Sequence, residues 1–229
     1  MSDVASHLAL GLDFDDPDYA LERATALREW FGVAKVGYEL YGAAGPAILV
    51  ALRELGYSVF LDVKLHDIPH TVERGAYVLA RYGVGYLNVH ACGGIDMMRA
   101  AVAGASEGAR DSGVAPPTLL GVTVLTSDSD TSAFTPRLQA AIDAGLGGVV
   151  CSAHEVSEVK QAAPTFVTMV PGIRLAGASR DDQSRIATPG EAISMGSDVL
   201  VVVRTVHNAP DPLAAAQQVY DEVEAALHH

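Results

Sequence analysis

Two carboxylates and one ammonium fall within a six-residue window, Asp62-Val63-Lys64-Leu65-His66-Asp67. If this window lies at the end of a β-strand, side chains alternate faces, so Asp62 and Lys64 share one face while Leu61, Val63 and Leu65 pack the other. Asp67 then follows just past the strand. Charged residues are rarely buried unless they pair, and an apolar strand has no structural need for an Asp-x-Lys pair on its inner face. Such a pair marks a candidate site. The plain alternative is a salt bridge at a sheet rim. His66, Asp67 and His70 also invite a metal reading, because His at i and i+4 of a helix can converge on one ion. Pro69 argues against a helix through both, so no metal ligand set is expected.

Strands and helices must alternate to position these groups. Short β-branched runs recur at 8–14, 33–36, 59–64, 86–90, 118–125, 148–152, 166–170 and 198–203. Between them, helix-type spacing occupies 17–30, 45–55, 71–82, 95–107, 153–161 and 212–227. This alternation predicts parallel strands joined by helical crossovers, and eight strands predict a (β/α)8 TIM barrel. A flavodoxin-like open sheet would leave three strands unused. A chain of 229 residues with 49% hydrophobic content can bury one large core, and no linker or repeat divides it, so residues 1–229 are read as a single domain. In a barrel, functional side chains gather at the C-terminal ends of the strands. Asp13, Lys35, Asp62, Lys64, His90, Thr126 and Arg204 stand there. His90 and His154 are read as hydrogen-bonded rim histidines.

The formal charge of −13 argues against nucleic acid as a partner, since phosphate backbones are bound by clustered Lys and Arg. It leaves room for a small phosphate ester gripped by one or two arginines. The two cysteines, Cys92 and Cys151, lack metal-type spacing and are read as reduced. With no signal-like start and no apolar run of membrane length, the expected location is the cytoplasm, with no membrane partner.

The full run F-L-D-V-K-L-H-D-I-P-H-T-V, from Phe60 to Val72, resembles the signature of the orotidine 5′-monophosphate decarboxylase family. Further matches are G-L-D-F around Asp13, V-A-K-V-G-Y-E-L around Lys35, V-T-V-L-T-S around Thr126, P-G-I-R ending at Arg174, D-D-Q-S-R around Gln183, and Arg204. The resemblance implies cofactor-free loss of CO2 from C6 of the pyrimidine, with uridine 5′-monophosphate as product. It implies an alternating array of Lys35, Asp62, Lys64 and Asp67, in which Lys64 protonates C6 and Asp62 sits beside the departing carboxylate. By the same resemblance Asp13 and Lys35 hold the ribose, Thr126 lies near the base, and Arg174, Gln183 and Arg204 belong to the ligand site, with Gln183 and Arg204 gripping phosphate. Residues 175–182 are expected to form a lid. A homodimer is implied, with Asp67 and Thr71 acting in the neighbouring subunit's site.

This chain departs from the family pattern at the end of the last strand. Val203 stands where Gly is usual, and Val206-His207 stands where Ile-Thr is common. Glycine there lets backbone approach phosphate closely, so the branched side chain of Val203 is expected to crowd the phosphate subsite. Two other classes share parts of the pattern. Mg-dependent 3-keto-L-gulonate 6-phosphate decarboxylases and hexulose-phosphate synthases carry the D-x-K-x-x-D core but lack the H-D-I-P run. An inactive nucleotide-phosphate-binding barrel would have no use for an intact charge array.

Overall fold

The computed structural model describes residues 3–125, 127–128, 130–176 and 185–228. Eight strands close into a barrel in chain order: β1 (Leu8–Gly11), β2 (Val33–Val36), β3 (Ser58–Leu65), β4 (Tyr86–His90), β5 (Thr118–Val122), β6 (Gly148–Val150), β7 (Val167–Val170) and β8 (Val199–Val202). Every neighbouring pair is parallel, and β1 pairs with β8 to close the ring. All strands therefore point their C-terminal ends at one mouth.

The alternation of side chains along each strand divides the apolar residues into two layers. Ala9, Val33, Phe60, Leu120, Met169, Val199 and Val201 face inward and fill the barrel. Leu8, Leu10, Ala34, Val36, Val59, Leu61, Leu87 and Val89 face outward under the helices and belong to the larger core. The inward row explains how a polar site can sit on an apolar scaffold. Phe60 and Val201 close the bottom, and the next inward positions toward the mouth are free to carry charge.

Helix starts follow local chemistry. Asp16 accepts from the amides of Asp18 and Tyr19 to start Pro17–Leu27, and Asp211 does the same for Pro212–Leu227. Each helix has proline in its first turn, where no intrahelical N–H is needed. Helix Phe134–Asp143 buries Phe134, Leu138 and Ala141, and helices Tyr38–Ala44, Pro189–Ser194 and Arg204–His207 add to those expected from spacing. Pro136 falls in the first turn of its helix, where it does not break the ladder. Helix Ile95–Ser112 lies against helix Pro69–Ala80 at backbone distance: a Cβ at Gly104 would meet the Glu73 carbonyl oxygen at 2.1 Å. The helix that carries Thr71 is thereby held close to its neighbour. Among the described residues no helix is long and apolar enough to cross a membrane.

Candidate active site

At the barrel mouth four charged side chains from three strand ends form a continuous chain. Lys35, inward-facing on β2, donates to Asp13 Oδ1 at 2.9 Å and lies 3.4 Å from Asp62 Oδ2. Lys64 Nζ donates to Asp62 Oδ1 at 2.6 Å. Asp62 is buried. Burial pushes its carboxyl pKa up, but Lys35 and then Lys64 outweigh that and hold it below the usual carboxylate range. Burial likewise pushes the Lys35 ammonium down, and Asp62 and Asp13 together raise it above the ordinary lysine value. Both groups are therefore fully ionised at neutral pH. Such an arrangement needs no reorganisation when charge develops nearby, which is the condition for strong electrostatic catalysis.

The simple alternation expected for β3 holds through Asp62 and then fails. Leu61 pairs with Leu87 but Leu65 pairs with Val89, so four steps along β3 match two along β4. Within this bulge Lys64 adopts φ +42°, the one positive φ outside glycine among the described residues. Bulges of this kind re-aim side chains beside active sites. Here the bend turns Lys64 back so that its ammonium reaches Asp62. Asn88, fully buried on β4, was not signalled by the motif; its Oδ1 accepts from the Lys64 amide at 2.7 Å and its Nδ2 donates to Asp62 Oδ1 at 2.6 Å. A polar amide between the buried Leu87 and Val89 is the sequence signal that marks it.

Two contiguous cavities open from this array. One, of about 250 Å³, is lined by Lys35, Asp62 and Lys64 with Phe60, Val122 and Val201 as apolar walls. The other, of about 400 Å³, contains Asp13, Lys35, Arg174, Val203, Arg204 and His207. The first suits a flat ring and the second a polar, anionic tail. Arg174 is buried and donates to the Ile173 carbonyl at 2.9 Å, while Thr205 donates to the same oxygen at 2.7 Å. Arg204 opens a short helix, Arg204–His207, directly after β8 rather than ending the strand itself.

Val203, which lines the second cavity, also has a packing role. Its side chain lies over β1: a Cβ on Gly11 would sit 2.4 Å from Val203 Cγ2. The missing side chain at Gly11 thus provides the space that the valine fills. His207 fastens the same point, because Arg23 donates to its Nδ1 at 3.5 Å and its Nε2 proton goes to the Gly11 carbonyl at 2.8 Å. Burial holds this imidazole below its usual pKa. Gly11→Ala is expected to overpack the contact and cost about 1–3 kcal/mol. Thermal melts of Gly11→Ala and of the double variant with Val203→Gly check this. The second substitution should recover most of the loss, and an equal loss in both proteins would remove Val203 as the cause.

Asp67 and Thr71 do not join the array of their own chain. His66 through Thr71 form an exposed run, and among the described residues Asp67 accepts only the neighbouring Ile68 amide, at 2.7 Å. Both residues line an open cavity that Lys64 reaches from its other side. His66, Asp67 and His70 do not converge: among the described residues no three His, Cys, Asp or Glu side chains form a group able to hold a metal ion. Cys92 and Cys151 are free thiols. Thr126 and Gln183, and most of the expected lid at 175–182, lie outside the described residues. Arg185, just after that segment, pairs with the buried Glu155 and donates to the Leu125 carbonyl at 3.0 Å. It ties the connection after β7 to the loops after β5 and β6, a link between residues too distant in sequence for spacing to show.

The sequence model of the Orotidine 5′-phosphate decarboxylase / HUMPS family matches residues 6–219. The chain belongs to this family. A relative named orotidine 5′-phosphate decarboxylase from Anaeromyxobacter sp. (strain K) is 44% identical over 228 residues, covering 94% of this chain and 97% of the relative. Another of that name, from Streptococcus thermophilus (strain CNRZ 1066), is 47% identical over 205 residues, covering 83% and 84% respectively. Among solved structures, orotidine 5′-phosphate decarboxylase from Lactobacillus acidophilus superposes with a TM-score of 0.80 at 33% identity, covering 94% of this chain and 98% of the other. The barrel and the mouth-facing array therefore belong to a chain that matches these decarboxylases along nearly its whole length.

Proposed function

We propose that this protein converts orotidine 5′-monophosphate to uridine 5′-monophosphate and CO2 without a cofactor, in pyrimidine nucleotide synthesis in the cytoplasm. The observation that carries the reading is the Asp13–Lys35–Asp62–Lys64 chain at the mouth of a barrel of this family. The pyrimidine lies in the apolar-walled cavity with C6 toward Lys64. Ribose hydroxyls meet Asp13 and Lys35, and the phosphate lies toward Arg204 and Arg174; Thr126 and Gln183 are assigned to base and phosphate by the family resemblance alone. The bond from C6 to the carboxylate carbon breaks, its electron pair stays on C6, and the Lys64 ammonium passes a proton to that carbon. Solvent then reprotonates the amine. Asp62 keeps Lys64 aimed and excludes a second anion from its side, so the substrate carboxylate is stable there only as it departs as neutral CO2. Binding energy from the remote phosphate holds the site closed during this step.

We further assign the working form as a two-fold homodimer in which Asp67 and Thr71 complete the partner's site. Their exposure, and the cavity they share with Lys64, support this reading. The test of the activity is loss of orotidine 5′-monophosphate absorbance with purified protein, with and without excess EDTA. Turnover should persist in the chelator, because the array supplies its own cations. Activity abolished by EDTA and restored by Mg²⁺ would move the protein to the sugar-phosphate side of its family.

A further inference from the structure

We propose that Asn88 is a positioning residue for the reaction: its side-chain amide holds Lys64 in the left-handed bend and sets the rotation of the Asp62 carboxylate. This rests on the decarboxylase reading above. The argument begins with the ladder between β3 and β4. Two extra residues of β3 are accommodated between Leu61 and Leu65, so the Lys64 amide is carried out of register with the β4 backbone. A buried amide without an acceptor is costly. Asn88 Oδ1 supplies the acceptor at 2.7 Å.

The other end of the same planar group reaches Asp62 Oδ1 at 2.6 Å. Chemistry fixes which end faces which partner. A backbone N–H only donates and a carboxylate only accepts, so the asparagine oxygen must face Lys64 and its nitrogen must face Asp62. Asp62 Oδ1 then receives both the Asn88 amide and the Lys64 ammonium, and Oδ2 is left turned toward Lys35. One side chain thus controls both members of the pair, the lysine through its backbone and the aspartate through its carboxylate plane. No other side chain of this size offers a donor and an acceptor in one rigid group: Asp has no donor at neutral pH, and Leu has neither.

A lysine at φ +42° is unfavourable for a residue with a Cβ, and such conformations persist only where the surroundings over-determine them. Asn88 holds the Lys64 amide itself, while the Tyr38 hydroxyl donates to the preceding Val63 carbonyl at 2.8 Å. Without Asn88 the bend can relax, and a shift of about 1 Å in a reacting group is enough to cost a hundredfold in rate.

Two variants test the proposal, each measured for kcat, for uridine 5′-monophosphate affinity and for the pH dependence of kcat, with circular dichroism to establish folding. Asn88→Ala is expected to lower kcat about 10²- to 10³-fold while nucleotide affinity stays within about threefold, since the loss falls on transition-state geometry. Asn88→Asp keeps the shape and the acceptor for Lys64 but places a second carboxylate against Asp62. Its acid limb should move to higher pH, because a like charge and the lost amide donor both raise the pKa that the native contacts hold down. If Asn88→Ala does not fold, the isosteric Asn88→Asp carries the test alone. A folded variant with kcat within threefold of the parent and an unmoved acid limb would overturn the proposal. So would a crystal structure of Asn88→Ala with Lys64 still at positive φ and still in contact with Asp62. Parent protein that fails to turn over orotidine 5′-monophosphate would instead overturn the decarboxylase reading, and the crystallographic comparison would still decide whether Asn88 holds the bend.

Discussion

Lys64→Ala is expected to lower kcat for orotidine 5′-monophosphate by several orders of magnitude while uridine 5′-monophosphate still binds within about tenfold of the parent affinity. The asymmetry follows from when the ammonium acts. In the proposed mechanism Lys64 gives up its proton to C6 only as CO2 leaves, so its contribution falls on the transition state rather than on ground-state binding. Removing it leaves Asp62 bonded to Asn88 and facing Lys35, so the cavity keeps its shape and the array loses one member rather than collapsing. Steady-state turnover and a nucleotide titration on the same preparation separate the two quantities. Substantial turnover in the variant would remove Lys64 from the role of acid, and a parallel fall in nucleotide affinity would mean that the lysine chiefly shapes the pocket.

Mixing Lys64→Ala with Asp67→Ala subunits is expected to restore activity that neither homodimer has. In a dimer whose Asp67 works across the interface, the mixed species contains one site with native Lys64 from one chain and native Asp67 from the other. Its second site lacks both. Random exchange makes half of the dimers mixed, so recovery should approach about a quarter of parent activity. The basis is the exposed stretch from His66 to Thr71, which leaves Asp67 without a cation in its own chain among the described residues. No recovery after proven subunit exchange would place Asp67 in the site of its own chain.

Strand positions were legible in the sequence where β-branched runs are sharply bounded. Val33–Val36 and Tyr86–His90 begin and end where the pattern puts them. β1 and β5 stop three residues short of the expected 8–14 and 118–125, because at the barrel mouth apolar residues such as Leu12 and Val124 continue into loops while still buried. Hydropathy reports burial, and ladder pairing ends sooner. Helix Phe134–Asp143 is not among the helical spacings read from the sequence, and Pro136, in its first turn, leaves the ladder intact.

The candidate site was legible as a list of charges and less so as a geometry. The D-x-K spacing predicts a shared face, but the lysine reaches Asp62 through a bulge that no apolar pattern encodes. Asn88 carries no charge and lies outside the motif; its polarity between Leu87 and Val89 marks the position, and two hydrogen bonds assign its part. Val203 was visible as a departure. That Gly11 makes space for it required the pairing of β1 with β8.

The left-handed lysine of β3 also bears on how this protein can change over time. Glycine is the residue best suited to φ +42°, and substitution there relieves backbone strain of the order of 1 kcal/mol or more. If Lys64 is the acid proposed above, position 64 is a place where thermal robustness and turnover pull in opposite directions: selection for a tougher barrel alone would discard the lysine, and selection for making the product would retain it. An ancestral or designed relative that has lost the chemistry should betray itself here first, by a small residue in the bend and an otherwise intact barrel.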